Sequence, residues 1–293
     1  MYNMDALYDE IAVKGHVCLG LDTALDYIPP KERRAALTDR ELLVNFNKTL
    51  IDAAADLVAC FKVQIAYYEA LGLDGLRAYA ETLEYIRRKK CLVIADIKRG
   101  DIADTASQYA KAHFSGDFEA DFVTLSPYMG MDSIEPWAAF AESKGKGAFV
   151  LMRTSNKGMR DFEYQELKTG GKLYDVVGNR LSELADSYKG TYGYGAIGAV
   201  VGCTETSEAE AIRQKYPNLF FLIPGYGAQG GAARDVAILL KDGNGGVVNA
   251  SRSILKAWSK KGSPDDAAFA DVAAAGVEAV TEMRDAILEA AKG

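Results

Sequence analysis

Cys91-Leu92-Val93-Ile94-Ala95-Asp96-Ile97-Lys98-Arg99-Gly100-Asp101-Ile102 is an apolar run that ends in alternating charge. The run reads as a buried strand. Successive side chains of a strand point to opposite faces, so Asp96 and Lys98 share one face while Ile97 enters the opposite layer. An acid and a base therefore emerge together at a strand's end. Asp101 lies past Gly100, where the chain turns into a helix-like run from Thr105 to Ala110. Its carboxylate either caps that helix, with Asp104 in the first turn, or faces something outside its own strand.

The same reading repeats along the chain. Further apolar runs occupy residues 16–21, 57–64, 121–125, 147–152, 196–201, 219–223 and 246–250. Between them lie stretches with helical spacing: Leu42, Leu43, Phe46, Leu50 and Ala54, then residues 67–90, a short helix from Asp132, residues 172–189 and residues 205–215. Ser263-Pro264 supplies the cap and first-turn signals of a last helix that buries Val272, Val280, Met283 and Ile287. Strands apolar on both faces, alternating with helices, predict parallel pairing with helices outside. The expected fold is an α/β (β/α)8 TIM barrel formed by residues 1–293 as a single domain. Polar residues end nearly every strand, and barrels of this class place their chemistry at those carboxyl ends. Residues 157–171 form a polar connection longer than such a barrel needs, as a lid would.

Composition narrows the function. The formal charge of -7 argues against nucleic acid or an anionic membrane as the main partner, leaving a small molecule. Cys18, Cys60, Cys91 and Cys203 sit in or beside apolar runs without metal-ligand spacing, and read as core thiols. With only His16 and His113, a histidine metal site or a Ser-His-Asp triad is not expected. The first ten residues carry no secretory signal and no window reaches membrane-spanning length, so a cytoplasmic protein is expected.

Lys62 lies within an apolar strand, where an unpaired ammonium is costly. It calls for a carboxylate, and Asp96 on the next strand is the candidate. Gly225, Gly227 and Gly230 punctuate the loop after the seventh strand, where backbone N–H groups can gather round an anion. Arg252 follows the eighth strand and offers a guanidinium to phosphate oxygens. Loops seven and eight are the usual phosphate site of these barrels.

With Lys98 and Asp101 extending the pair into an alternating Lys-Asp-Lys-Asp array, the array and the loop together resemble the orotidine 5'-monophosphate decarboxylase family over nearly the whole chain. The most specific motif is Asp96-Ile97-Lys98-Arg99-Gly100-Asp101-Ile102 with Thr105. The resemblance implies a homodimer whose site takes Lys62, Asp96 and Lys98 from one subunit and Asp101, Ile102 and Thr105 from the other. It implies a ribose contact by Asp22, which on sequence alone equally caps the turn at Thr23. Ser155 would meet the pyrimidine, and Gln229 and Arg252 the phosphate. Orotidine 5'-monophosphate would lose CO2 in pyrimidine biosynthesis with no cofactor and no metal, Lys98 stabilising and then protonating the C6 carbanion. The long connection after strand five and Ala250-Ser251 before the arginine resemble a longer, divergent subgroup. Three other readings stay open: a metal-dependent sugar-phosphate enzyme with an Asp-X-Lys-X-X-Asp pattern, a Schiff-base aldolase using Lys62 or Lys98, and a phospholigand sensor.

Overall fold

A computed structural model describes residues 1–227 and 230–292. Its eight strands are β1 (Val17–Gly20), β2 (Cys60–Gln64), β3 (Leu92–Arg99), β4 (Phe122–Leu125), β5 (Gly147–Arg153), β6 (Ile197–Val201), β7 (Phe221–Ile223) and β8 (Gly246–Ala250). They pair in parallel in sequence order, and β8 pairs back onto β1 to close the barrel. This is the expected (β/α)8 architecture, with helices between the strands.

Strand parity divides the core in two. Val17, Leu19, Phe61, Val63, Val93, Ala95, Val123 and Val150 face the helices. Cys18, Cys60, Ile94, Phe122, Phe149, Val200, Leu222 and Val247 fill the barrel interior. The alternation that separates these layers also sets the site. Lys62, Asp96 and Thr124 stand two residues beyond Cys60, Ile94 and Phe122, on the interior face at the carboxyl end. Ile97 joins the outer layer, as its parity requires.

The helix Asn3–Lys14, which the sequence reading left unassigned, covers the other end of the barrel. Met4, Leu7 and Ile11 enter the interior cluster. Asn3 donates its backbone N–H to Gly145 O (2.7 Å) and its side-chain amide to Asp121 O (3.2 Å), beside the starts of β5 and β4. The amino-terminal mouth is thus sealed.

Several expected elements differ in extent. Residues 67–90 divide into Ala66–Glu69 and Gly72–Arg88. At Gly75 a Cβ would lie 2.0 Å from the Tyr68 carbonyl, so the two helices meet in a corner only glycine permits. Ser263-Pro264 opens a turn, with the Ser263 hydroxyl donating to Asp266 Oδ2, and the helix begins only at Phe269. There Asp271 accepts the Ala268 N–H at 2.8 Å. The short helix at Asp132 is a 3-10 turn, Met131–Ser133, ahead of Glu135–Lys144. Residues 205–208 lie outside the helix, which there is Ala209–Lys215. Among the described residues no helix is long and apolar enough to cross a membrane.

Candidate active site

Lys62 and Asp96 meet inside the carboxyl-terminal mouth, their side chains only 5% and 8% exposed. Lys62 Nζ donates to Asp96 Oδ2 at 2.8 Å and to Asp22 Oδ1 at 3.1 Å. Lys98 Nζ donates to the other Asp96 oxygen, Oδ1, at 2.6 Å. Asp96 therefore holds one ammonium on each oxygen, and Lys62 joins two carboxylates. Asp22 was expected as a ribose contact or a turn cap; the structure adds a bond to Lys62. That bond follows from the β1–β2 register, which sets Gly20 opposite Lys62 and so brings Asp22 to the rim above it.

Charge pairing overcomes burial at both groups. Burial would raise the Asp96 carboxyl, but Lys62 and Lys98 hold it well below the usual carboxylate range. Burial would likewise lower the Lys62 ammonium, but Asp22 and Asp96 push it well above the ordinary lysine value. Both are charged at neutral pH. Lys98 differs in being 48% exposed at its side chain, open to the mouth while anchored to Asp96.

The β3–β4 ladder breaks beside this cluster. Ala95 aligns with Val123 and Arg99 with Leu125, so the register shifts between them. Lys98 takes φ +43° within the shift, a left-handed conformation unusual for a non-glycine residue. Thr124 on β4 occupies the gap and bonds to Asp96, a contact for which the sequence reading offered no signal.

Asp101, Ile102 and Thr105 stand apart from the cluster. Asp101 Oδ1 accepts the Ile102 N–H at 2.9 Å, and the helix Ala103–Phe114 has Ile102, not Asp101, at its cap position. Asp101 as helix cap is thereby corrected. Among the described residues, none of the three bonds to Lys62, Asp96 or Lys98 of its own barrel. Ile102 is 42% exposed, and Tyr109, Tyr128 and Met129 expose further apolar surface after β3 and β4.

A cleft of about 240 Å3 runs from Asp22 past Tyr27, Tyr67 and Tyr226 to Asn249 and Arg252. It joins the ends of β1, β7 and β8, where the phosphate site was expected. Sequence reading gives none of the three tyrosines a site role, because they lie in separate connections. Arg252 is exposed at the start of the short helix Arg252–Leu255. Gly225, Gly227 and Gly230 all have positive φ. The expectation that their N–H groups gather round an anion is corrected in part. Gly227 N–H goes to Gly231 O and Gly230 N–H to Gly227 O, both at 2.9 Å, so these two donors close the loop on itself. Gln229 lies outside the described residues.

Ser155 follows β5, its carbonyl accepting from Thr204 Oγ1 at 3.0 Å. The connection after it is pinned rather than free. Glu163 accepts both the Thr154 N–H (2.8 Å) and the Thr154 hydroxyl (2.7 Å), and Arg160 pairs with Glu205 at 2.9 Å. Glu163 is a second residue the sequence did not single out.

Residues 15–263 match a family profile described as the orotidine 5'-phosphate decarboxylase / HUMPS family. An orotidine 5'-phosphate decarboxylase of Clostridium tetani is 55% identical over 287 residues, covering 98% of each chain. One from Clostridium perfringens is 57% identical over 286 residues, again covering 98% of each. Among solved structures, the orotidine 5'-monophosphate decarboxylase of Leishmania donovani superposes with a TM-score of 0.78 at 29% identity, covering 100% of both chains.

Proposed function

The chain belongs to the orotidine 5'-phosphate decarboxylase / HUMPS family and converts orotidine 5'-monophosphate to uridine 5'-monophosphate in pyrimidine biosynthesis; we propose that Lys62, Asp96 and Lys98 carry that reaction. The observation behind this reading is Asp96 held between two ammonium groups, at 2.8 Å and 2.6 Å.

Loss of CO2 from C6 of the pyrimidine leaves an electron pair in an in-plane orbital that the ring's carbonyl groups delocalise poorly. Fixed charge must then do the stabilising, and it does so most effectively where water is excluded. With the substrate carboxylate beside Asp96, repulsion between two anions is relieved as CO2 departs. Lys98, the exposed end of the array, faces the developing carbanion and transfers a proton to C6, later regaining one from solvent. Lys62 binds both Asp96 and Asp22 and holds the two carboxylates in place. Asp22 engages the ribose, Ser155 the pyrimidine, and Gln229 and Arg252 the phosphate. The phosphate lies far from C6, so its binding energy is available for ordering and desolvating the base at the reacting end.

Asp101, Ile102 and Thr105 complete the site of a second copy in a homodimer. Two features support this: Asp101 finds no cation in its own barrel among the described residues, and exposed apolar side chains flank it.

The test is loss of the orotidine ultraviolet absorbance, with and without EDTA, for the native protein and for Lys98→Ala. Full activity in EDTA and a folded variant that binds uridine 5'-monophosphate yet scarcely turns over are expected. Inhibition by EDTA reversed by Mg2+, or an active Lys98→Ala, would defeat the reading.

A further inference from the structure

We propose that Thr124 is a positioning residue that sets the geometry of Lys98 against Asp96. The inference rests on the roles assigned to those two residues above.

A hydroxyl has one proton and two lone pairs. Thr124 Oγ1 lies 3.0 Å from the N–H of Ile97 and 3.0 Å from the N–H of Lys98, and both of these groups can only donate. They occupy its lone pairs. Its proton is left for Asp96 Oδ1, 2.8 Å away, which as a carboxylate can only accept. Every hydrogen-bonding capacity of the hydroxyl is used, at a site where Thr124 is 1% exposed. The direction of all three bonds follows from the chemistry of the partners.

Those bonds coincide with the break in the ladder. Between Ala95 and Arg99 the regular register is lost, and two consecutive N–H groups of β3 need another acceptor. The hydroxyl takes both. In doing so it fixes the two peptide units that flank Ile97, the second of which leads into Lys98 at φ +43°, a conformation that persists only where surroundings enforce it. The same oxygen of Asp96 that accepts from Thr124 accepts from Lys98 Nζ. One side chain thus controls both ends of the Lys98–Asp96 contact: the backbone from which Lys98 springs and the carboxylate oxygen on which it rests. Valine, which has the same shape, would place a methyl group against two buried donors and an anion.

The experiment compares Thr124→Ser and Thr124→Val with the native enzyme for kcat, KM, affinity for uridine 5'-monophosphate and thermal midpoint. Serine keeps the hydroxyl and should hold kcat within about threefold. Valine should lower kcat by about tenfold or more while KM and product affinity move less than about threefold, since displacement of a reacting group costs turnover rather than ground-state binding. A purely structural role would lower the midpoint and leave kcat per binding site unchanged. If the valine protein does not fold, Thr124→Ala, which leaves room for water, takes its place. Equal kcat in the serine variant and in the valine (or alanine) variant overturns the proposal. Lys98→Ala run alongside separates the two levels. A Lys98→Ala enzyme as active as the native one removes the assignment of Lys98 and this inference together. A dead Lys98→Ala enzyme beside a fully active Thr124→Val removes only the positioning role.

Discussion

Lys62 Nζ lies 3.1 Å from Asp22 Oδ1, so the carboxylate at the end of β1 is tied to the buried cation of β2. With Asp96 on its other side, Lys62 is the one cation among the described residues that touches both carboxylates. Removing it leaves Asp96 with Lys98 alone, and Asp22 with no cation within ion-pair distance among the described residues.

The first prediction concerns that cation. Lys62→Ala should destabilise the fold by about 3–5 kcal/mol, the usual effect of breaking a buried ion pair by deleting one partner. Asp22→Asn removes a carboxylate that is 23% exposed and should cost about 1 kcal/mol or less. Urea unfolding of both variants at neutral pH gives the comparison. Equal losses would mean that Asp22, not Asp96, is the partner that matters for stability.

Asp96 gives a pH dependence of definite sign. Burial opposes its ionisation, but Lys62 and Lys98 hold its pKa in the folded state well below the ordinary value. A carboxyl depressed on folding contributes stability that is fully present above its unfolded pKa of about 3.9 and is lost as pH falls toward the folded value. The urea midpoint of the native protein should therefore fall more steeply below about pH 4 than that of Asp96→Asn. Parallel curves would show that Asp96 is not the depressed group. Turnover should show no acid limb from Asp96 in the mildly acidic range, because the carboxylate stays ionised there.

The barrel was legible because each strand is an apolar run that stops at polar residues, and because inward and outward parity follow from the backbone alone. The partnership of Lys62 with Asp96 was legible for the same reason, a buried ammonium needing an anion from the neighbouring strand. Other features depend on register between strands, which local sequence does not display. Asp22 reaches Lys62 only through the β1–β2 pairing. Thr124 in Phe122-Val123-Thr124-Leu125 looks like any β-branched residue suited to a strand, and its role appears only where the β3–β4 ladder shifts. Ser263-Pro264-Asp265-Asp266 carries the chemistry of a helix start but forms a turn, and Asp271 supplies the cap a few residues later. The helix Asn3–Lys14 was missed because its buried residues include Asp5 among sparse apolar positions.

Arg252 is the test of the phosphate end. It lies exposed on the cleft with Asp22, Tyr27 and Tyr226 and makes no salt bridge among the described residues. Arg252→Ala should weaken uridine 5'-monophosphate binding by about 1.5–3 kcal/mol, the range for a hydrogen bond to a charged group. Uridine, which lacks the phosphate, should bind both proteins alike. If calorimetry shows uridine affinity falling as far as that of the nucleotide, Arg252 serves the base or ribose instead.

The last prediction follows from where Asp101 points. Its carboxylate takes the Ile102 N–H and no lysine of its own barrel, on a rim that exposes Ile102 and Tyr109. If it serves the opposite copy of a two-fold dimer, each active site draws Lys98 from one subunit and Asp101 from the other, as an isologous interface requires. Lys98→Ala and Asp101→Ala should then each be nearly inactive alone. Mixed under conditions that allow subunits to exchange, they form hybrids in which one site collects both substitutions and the other receives an intact Lys98 with an intact Asp101. Random exchange makes half the dimers hybrid, so about a quarter of all sites should regain activity. If Asp101 acts within its own barrel, every site in every hybrid retains one defect and mixing restores nothing. The recovered fraction therefore reads out, without any structure of the dimer, which subunit supplies the second aspartate.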